Sequence, residues 1–346
     1  MTPLAKFIAA RIRAGGPMPL TEYMGLCLGH PEHGYYTTRD PLGLSGDFIT
    51  APEISQVFGE LIGAWVAATW QEQGEKPFRL IELGPGRGTL MKDALRATLR
   101  VPGFHEQASL HLVEMSPVLR AAQSLSLAGG PLTPSWHRDI EEIPDDLPWF
   151  VIANEFFDAL PIAQYRQGTN RHVTVEGGNF AFIDLPCDAI LAPPYPAAPE
   201  GIWERCLAGE AILARLAARI VATGGAALII DYGYAGGTNG DTLQAVRRHM
   251  PCSPLEHQGE ADLTAHVDFL ALQTIAARAG CHTALLSQGA FLRHMGIDLR
   301  LDALHARTTP EQAAALKSGA MRLTEPNQMG ELFKVLMLSN ASAKIN

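Results

Sequence analysis

In the stretch IELGPGRGTL, residues 81–90, Gly84, Gly86 and Gly88 follow closely behind the acid Glu82. Glycine has no Cβ, so a turn this bare lets main-chain amides press against a ligand and adopt backbone angles closed to other residues. A dinucleotide turn spaces its glycines GxGxxG and cradles a pyrophosphate. Here the sixth position is Thr89 and the third glycine comes one place early, giving GxGxG behind an acid. That spacing suits a nucleoside without phosphates, S-adenosylmethionine, with Thr89 and Leu90 opening the helix beside it. HLVEMS then places Glu114 and Met115 at the end of a second apolar run, where a carboxylate can accept from two ribose hydroxyls. A dinucleotide enzyme also places an acid there, so Glu114 points to an adenosine cofactor without choosing which. SWHRDI ends near Asp139, an acid placed to accept from the adenine amino group. An acid alone at such a place is more often a solvated loop residue or a helix cap; the turn and both acids at successive strand ends point to a cofactor.

The second constellation is ANEFFDALPI, residues 153–162. Methyl transfer from a sulfonium is an in-line displacement that needs a held nucleophile and excluded water. A guanidinium nucleophile would need carboxylates on its other nitrogens. Glu155 and Asp158 could face one cation, Asn154 could steer the target nitrogen through its carbonyl, and Phe156 and Phe157 could wall the site. The plainer reading makes Asp158 or Asn154 a cap and the phenylalanines core. SGDFITAPE offers Gly46, Asp47 and Phe48 as a lid over the cofactor, with Asp47 near it, or a surface turn before a helix. Asp231 and Tyr232 could line the substrate channel, or Asp231 could stabilise a loop.

These residues require strands and helices in alternation. FRLIELG, SLHLVEMS, SWHRDI, WFVIAN, GGAALIIDYGY, HTALLSQGAFL and LFKVLMLS read as seven strands, and TLMKDALRATLR, PVLRAAQSLSLA and DLTAHVDFLALQTIAARAG as helices. The expectation is a doubly wound, seven-stranded, mostly parallel Rossmann-like α/β sheet. A helix should start at Pro52 and Glu53 and stop near Gly74. Residues 1–75 read as a helical N-terminal extension or lid, and residues 76–346 as the cofactor domain. Two insertions are expected, a β-meander at about 163–200 and a helical segment at about 290–330. The first sixteen residues could pass for a transit peptide, but Leu4, Phe7, Ile8 and Ile12 at helical spacing favour an amphipathic helix.

The net charge is −9, with 47% hydrophobic and 18% charged residues, which makes nucleic acid a poor main partner and rules out wholesale disorder. Five scattered cysteines without a CxxC, and an HPEH that reads as a turn, give no metal site. No apolar run has the length of a membrane span. Oligomeric state is not legible.

Taken together, SGDFITAPEISQVFGELIG, ELGPGRGTLMKDALR, VEMSP, ANEFFDALPI and LIIDYGY closely resemble the MidA family, over about residues 20–339. These are class I S-adenosylmethionine methyltransferases whose mitochondrial members assist assembly of respiratory complex I. The resemblance implies a protein-arginine methyltransferase acting on a complex I subunit, with Glu82, Gly84, Gly86, Gly88 and Glu114 around the cofactor. It implies the cytoplasm for a bacterial chain and the mitochondrial matrix for a eukaryotic one. The glycines and Glu114 say nothing of the acceptor. Methylation of a small molecule or another protein residue, and a non-catalytic assembly chaperone that binds the cofactor, are the alternatives.

Overall fold

Seven strands form the main path of a sheet that has eight, one more than expected, in a computed structural model of the chain, whose described residues are 1–38, 50–166, 168–187, 201–236, 240–305 and 308–340. They are β1 (Phe78–Leu83), β2 (Ala108–Val113), β3 (Pro134–His137), β4 (Trp149–Asn154), β5 (Gly225–Tyr234), β6 (His282–Ser287) and β7 (Phe333–Ser339). Their order is β6-β7-β5-β4-β1-β2-β3. β7 runs antiparallel to both neighbours, while β5, β4, β1, β2 and β3 are mutually parallel. β4 is buried along its whole length and β1 almost so, the mark of parallel strands covered on both faces. The chain winds outward from β1 to β3 and then returns to place β4 on the other side of β1. The carboxyl ends of β1 and β4 therefore flank the point where strand order reverses, where such sheets bind ligands.

Contacts divide the chain into two units. One comprises Ile49–Phe156, Ala214–Gly233 and Ala276–Asn346; the other Met1–Phe48, Phe157–Leu213 and Tyr234–Ile275. In the first, the helix Gln56–Glu72 lies against the helix Thr89–Ala97, which opens after the glycine turn. The approach is close enough that a Cβ at Gly63 would stand 2.7 Å from the Ala94 backbone. The expected single helix from Pro52 is two: Ala51–Ile54, then Gln56–Glu72. Ser55 breaks it, because its backbone is extended and its hydroxyl accepts from the Val57 amide as the cap of the longer helix. HTALLSQGAFL likewise splits, since β6 ends at Ser287 and that hydroxyl caps the helix Gln288–His294. The segment between β6 and β7 contains the helices Ile297–His305 and Pro310–Thr324, the latter opened by a Thr309–Gln312 capping box.

In the second unit the meander Ala163–Arg166, Thr169–Glu176 and Asn179–Pro186 is antiparallel. Gly177 and Gly178, both at positive φ, make its two-residue hairpin. The long helix expected from Asp262 begins only at Phe269. Asp262–Thr264 instead pairs with Gln244–Arg247, and Asp268 Oδ1 accepts from the Ala271 amide in the first turn of the helix. The helix Pro3–Gly15 buries Leu4, Ile8 and Ile12 but leaves Phe7 40% exposed, with its edge against the His30 ring. Phe7 falls off the buried stripe because Ala5 and Ala9 complete it instead. Among the described residues no helix is long and apolar enough to cross a membrane.

Candidate active site

β1 delivers the chain to the turn at Gly84, and the turn holds Gly84, Gly86 and Gly88 at φ of 60°, 54° and 78°. A side chain at any of them would be strained. A Cβ at Gly84 would also come 2.9 Å from Cδ2 of Phe156, so the aromatic ring lies directly on the turn. Gly88 is the left-handed cap of the helix Thr89–Ala97. Thr89 Oγ1 donates to Glu53 Oε1 at 2.5 Å, whereas Leu90 is buried in the apolar core. Beneath the turn Glu82 is 2% exposed, and burial raises its carboxyl to about 8. Its Oε2 has no hydrogen-bond partner among the described residues.

At the end of β2 the contrast is complete. The Glu114 amide donates to the His137 carbonyl, continuing the sheet. Its Oε1 accepts from the Ser116 amide at 2.8 Å and its Oε2 from Gln123 Nε2 at 3.1 Å. Burial raises the Glu114 carboxyl, and those two bonds oppose the rise. Met115 beside it is exposed. Asp139 is exposed too, and its Oδ1 is taken up by the Glu141 amide, where it caps the short helix Ile140–Glu142. The plainer expectation for Asp139, a cap, is thus what its geometry displays. Asp47, with Gly46 and Phe48, lies outside the described residues.

At the end of β4, Glu155 adopts a left-handed backbone with φ of 50°, rare for a residue with a side chain. Its amide donates to the Ile230 carbonyl on β5 at 2.9 Å. Its Oε1 accepts from the Ala51 amide at 3.0 Å and from Asn154 Nδ2 at 3.3 Å. Asn154 is 8% exposed, and its Oδ1 has no hydrogen-bond partner among the described residues. Because Glu82 stands opposite Ile152, two residues before Asn154, both orphaned oxygens belong to side chains on one face of adjacent strands. Asp158 falls in the other unit, buried, where its carbonyl accepts from the Ala265 amide. Asp231 is fully buried and its Oδ1 accepts from the Tyr232 amide.

Three participants escaped the sequence reading. Glu53, noted only as an acid in a first turn, accepts from Thr89. The Ala51 amide fixes Glu155. Gln123 ties Glu114 to the turn, since its Nε2 also donates to the Gly86 carbonyl at 2.8 Å. Only Ser116-Pro117, a cap followed by proline, was legible as a helix start that would carry Gln123 inward.

The sheet order, the glycine turn and the buried acid after β2 are those of an α/β methyltransferase fold. The chain belongs to the family described as "Putative S-adenosyl-L-methionine-dependent methyltransferase", whose model matches residues 61–287. Among curated relatives it is 38% identical to the mitochondrial protein arginine methyltransferase NDUFAF7 homolog of Drosophila melanogaster, over 97% of this chain and 84% of that one. It is 36% identical to NDUFAF7 of Homo sapiens, over 98% of this chain and 83% of that one. A solved structure from Burkholderia thailandensis bound to S-adenosyl-homocysteine superposes with a TM-score of 0.82 at 29% identity, covering 97% of this chain and 91% of that one. The protein is an S-adenosylmethionine-dependent methyltransferase. Its own residues fit that cofactor: the turn offers amides without side chains, and the unpaired Glu82 oxygen at its foot suits a cation, the methionyl ammonium, and not a phosphate.

Proposed function

We propose that the chain methylates an arginine of a protein, a subunit of respiratory complex I. The observation that carries this reading is the Glu155 carboxylate. It is held by the Ala51 amide on a left-handed backbone, one residue from the bare Asn154 oxygen, at the end of β4 beside the glycine turn. A guanidinium presents several N–H donors in one plane, and a carboxylate with a neighbouring amide carbonyl accepts them. The names of the curated relatives, protein arginine methyltransferases, support the same acceptor.

When bound, the cofactor supplies a methyl group on a positively charged sulfur. Glu82 would hold its ammonium, the amides of the turn its methionyl backbone, and Glu114 its ribose. Glu155 would clamp two guanidinium nitrogens and Asn154 Oδ1 would orient the attacking one. The Phe156 ring would exclude water above Gly84. As the new N–C bond forms, the methyl's bond to the sulfonium breaks and neutral S-adenosylhomocysteine leaves; the nitrogen sheds a proton, which the Glu155 carboxylate would take.

The test is mass spectrometry of complex I subunits from cells with and without the gene, beside in vitro transfer by the purified protein. An arginine methyl mark that vanishes with the gene and is restored by the protein is the expected result. Unchanged arginine marks, with S-adenosylhomocysteine still bound by the protein, would move the acceptor to another residue or a small molecule.

A further inference from the structure

Gln123 is fully buried on the helix Pro117–Ser126, and no step above uses it. Its Nε2 donates to the Gly86 carbonyl at 2.8 Å and to Glu114 Oε2 at 3.1 Å, while its Oε1 accepts from Trp136 Nε1 at 2.9 Å. An indole N–H can only donate, and a carbonyl and a carboxylate can only accept, so the partners dictate which way the amide faces. Few side chains could replace it. A glutamate would turn a carboxylate toward two acceptors, and a leucine would strand the part-buried Gly86 carbonyl and indole N–H. The helix backbone is itself in contact with the turn, since a Cβ at Gly88 would lie 3.5 Å from Gln123 Cα.

We propose that Gln123 is the positioning residue that ties the ribose-binding carboxylate to the glycine turn, so that one rigid tether sets the distance between the sugar and methionyl ends of the site. The proposal rests on the reading of Glu114 as the acid that takes the ribose hydroxyls. Ser116 restrains only Oε1, from within the same loop. A carboxylate held at one oxygen swings about its terminal bond; Gln123 holds the other oxygen and anchors it to Gly86, and Trp136 on β3 fixes the amide in turn. Preorganisation of this kind lowers the ordering cost of ligand binding.

The experiment is calorimetric titration of the full chain with S-adenosylhomocysteine and with its 2′-deoxyribose analogue, in the parent and in Gln123→Leu, Trp136→Phe and Glu114→Ala. Loss of a hydrogen bond to a charged group predicts that Gln123→Leu weakens S-adenosylhomocysteine about tenfold or more. Trp136→Phe, which keeps a ring and removes only the N–H, should weaken it less. Both should weaken the deoxy analogue much less, because the hydroxyl whose acceptor has been misaligned is missing. A residue that merely supports the fold would weaken both ligands alike, so equal losses, or no loss in either variant, overturn the tether. If Gln123→Leu does not fold, Trp136→Phe carries the same comparison. Glu114→Ala separates the two levels. Undiminished S-adenosylhomocysteine affinity there would remove the ribose reading and the tether with it. A loss there, with parent-like discrimination in the Gln123 and Trp136 variants, would remove the tether alone.

Discussion

The ends of β1 and β2 carry the same side chain in adjacent strands, yet the two acids stand in opposite hydrogen-bonding states. Glu114 has a hydrogen bond from the protein on each oxygen. Glu82 has an oxygen with none among the described residues and a carboxyl that burial raises to about 8. A fully restrained acceptor suits hydroxyls, which bring direction but no charge. A bare, desolvated acid is costly until a cation reaches it, and so suits an ammonium. The end of β4 resembles β1 in its orphaned Asn154 oxygen and β2 in its clamped Glu155 carboxylate. On the function proposed, acceptor recognition would draw on both arrangements.

The sharpest way to break this comparison is at β4. Glu155→Gln should cut turnover by about a hundredfold or more while leaving S-adenosylhomocysteine affinity unchanged, as expected for a group that works on the acceptor. Steady-state kinetics with calorimetry checks it, and parent-like turnover would take Glu155 out of the chemistry.

Next in size is Glu82→Gln, expected to weaken S-adenosylhomocysteine about tenfold at pH 8 through loss of a buried ion pair. In the parent, affinity should climb from pH 6 to pH 8 as the carboxyl ionises, and the substitution should flatten that climb. The sign for the ligand-free protein is opposite. A carboxyl raised from 4.5 to about 8 in the fold contributes most below pH 4.5, and that stability is lost as pH rises through 8. Glu82→Gln should therefore raise the ligand-free Tm at pH 8 and not at pH 4.5. A parallel pH profile in the two proteins would show that Glu82 is not the group titrating.

Smaller again, Thr89→Val deletes the bond to Glu53 and should cost about 1 kcal/mol of stability with a few-fold loss of cofactor affinity. Thr89→Ser should restore both. The least effect is expected from Asp139→Ala: loss of a cap worth about 1 kcal/mol or less, and S-adenosylhomocysteine affinity within about twofold of the parent. A large affinity loss there would instead support Asp139 as an adenine contact.

Much of the sheet was legible because buried parallel strands are continuous apolar runs, and these end at the residues that carry chemistry. Two of the errors came from short-range competition and one from pairing with a separate segment. Ser55 and Ser287 each end one element and cap the next, so an apolar pattern that reads as continuous is cut by a single hydroxyl. Asp262–Thr264 has helical spacing, but its strand pairing is set by Gln244–Arg247, far off in sequence. Within the site, the glycines were readable because their backbone angles are a local demand. Glu53 and Gln123 were not, because nothing near them in sequence says whom they meet.

The sequence by itself determined the class of fold, the bare turn and the acids at the strand ends, since each follows from local backbone preference and burial. Only the tertiary structure decided which of those acids is satisfied and which is left waiting. Hydrogen-bond partners such as Gln123, Trp136 and the Ala51 amide arrive from distant segments, and their presence or absence sets whether a buried carboxylate is fixed, strained or still without its charge partner.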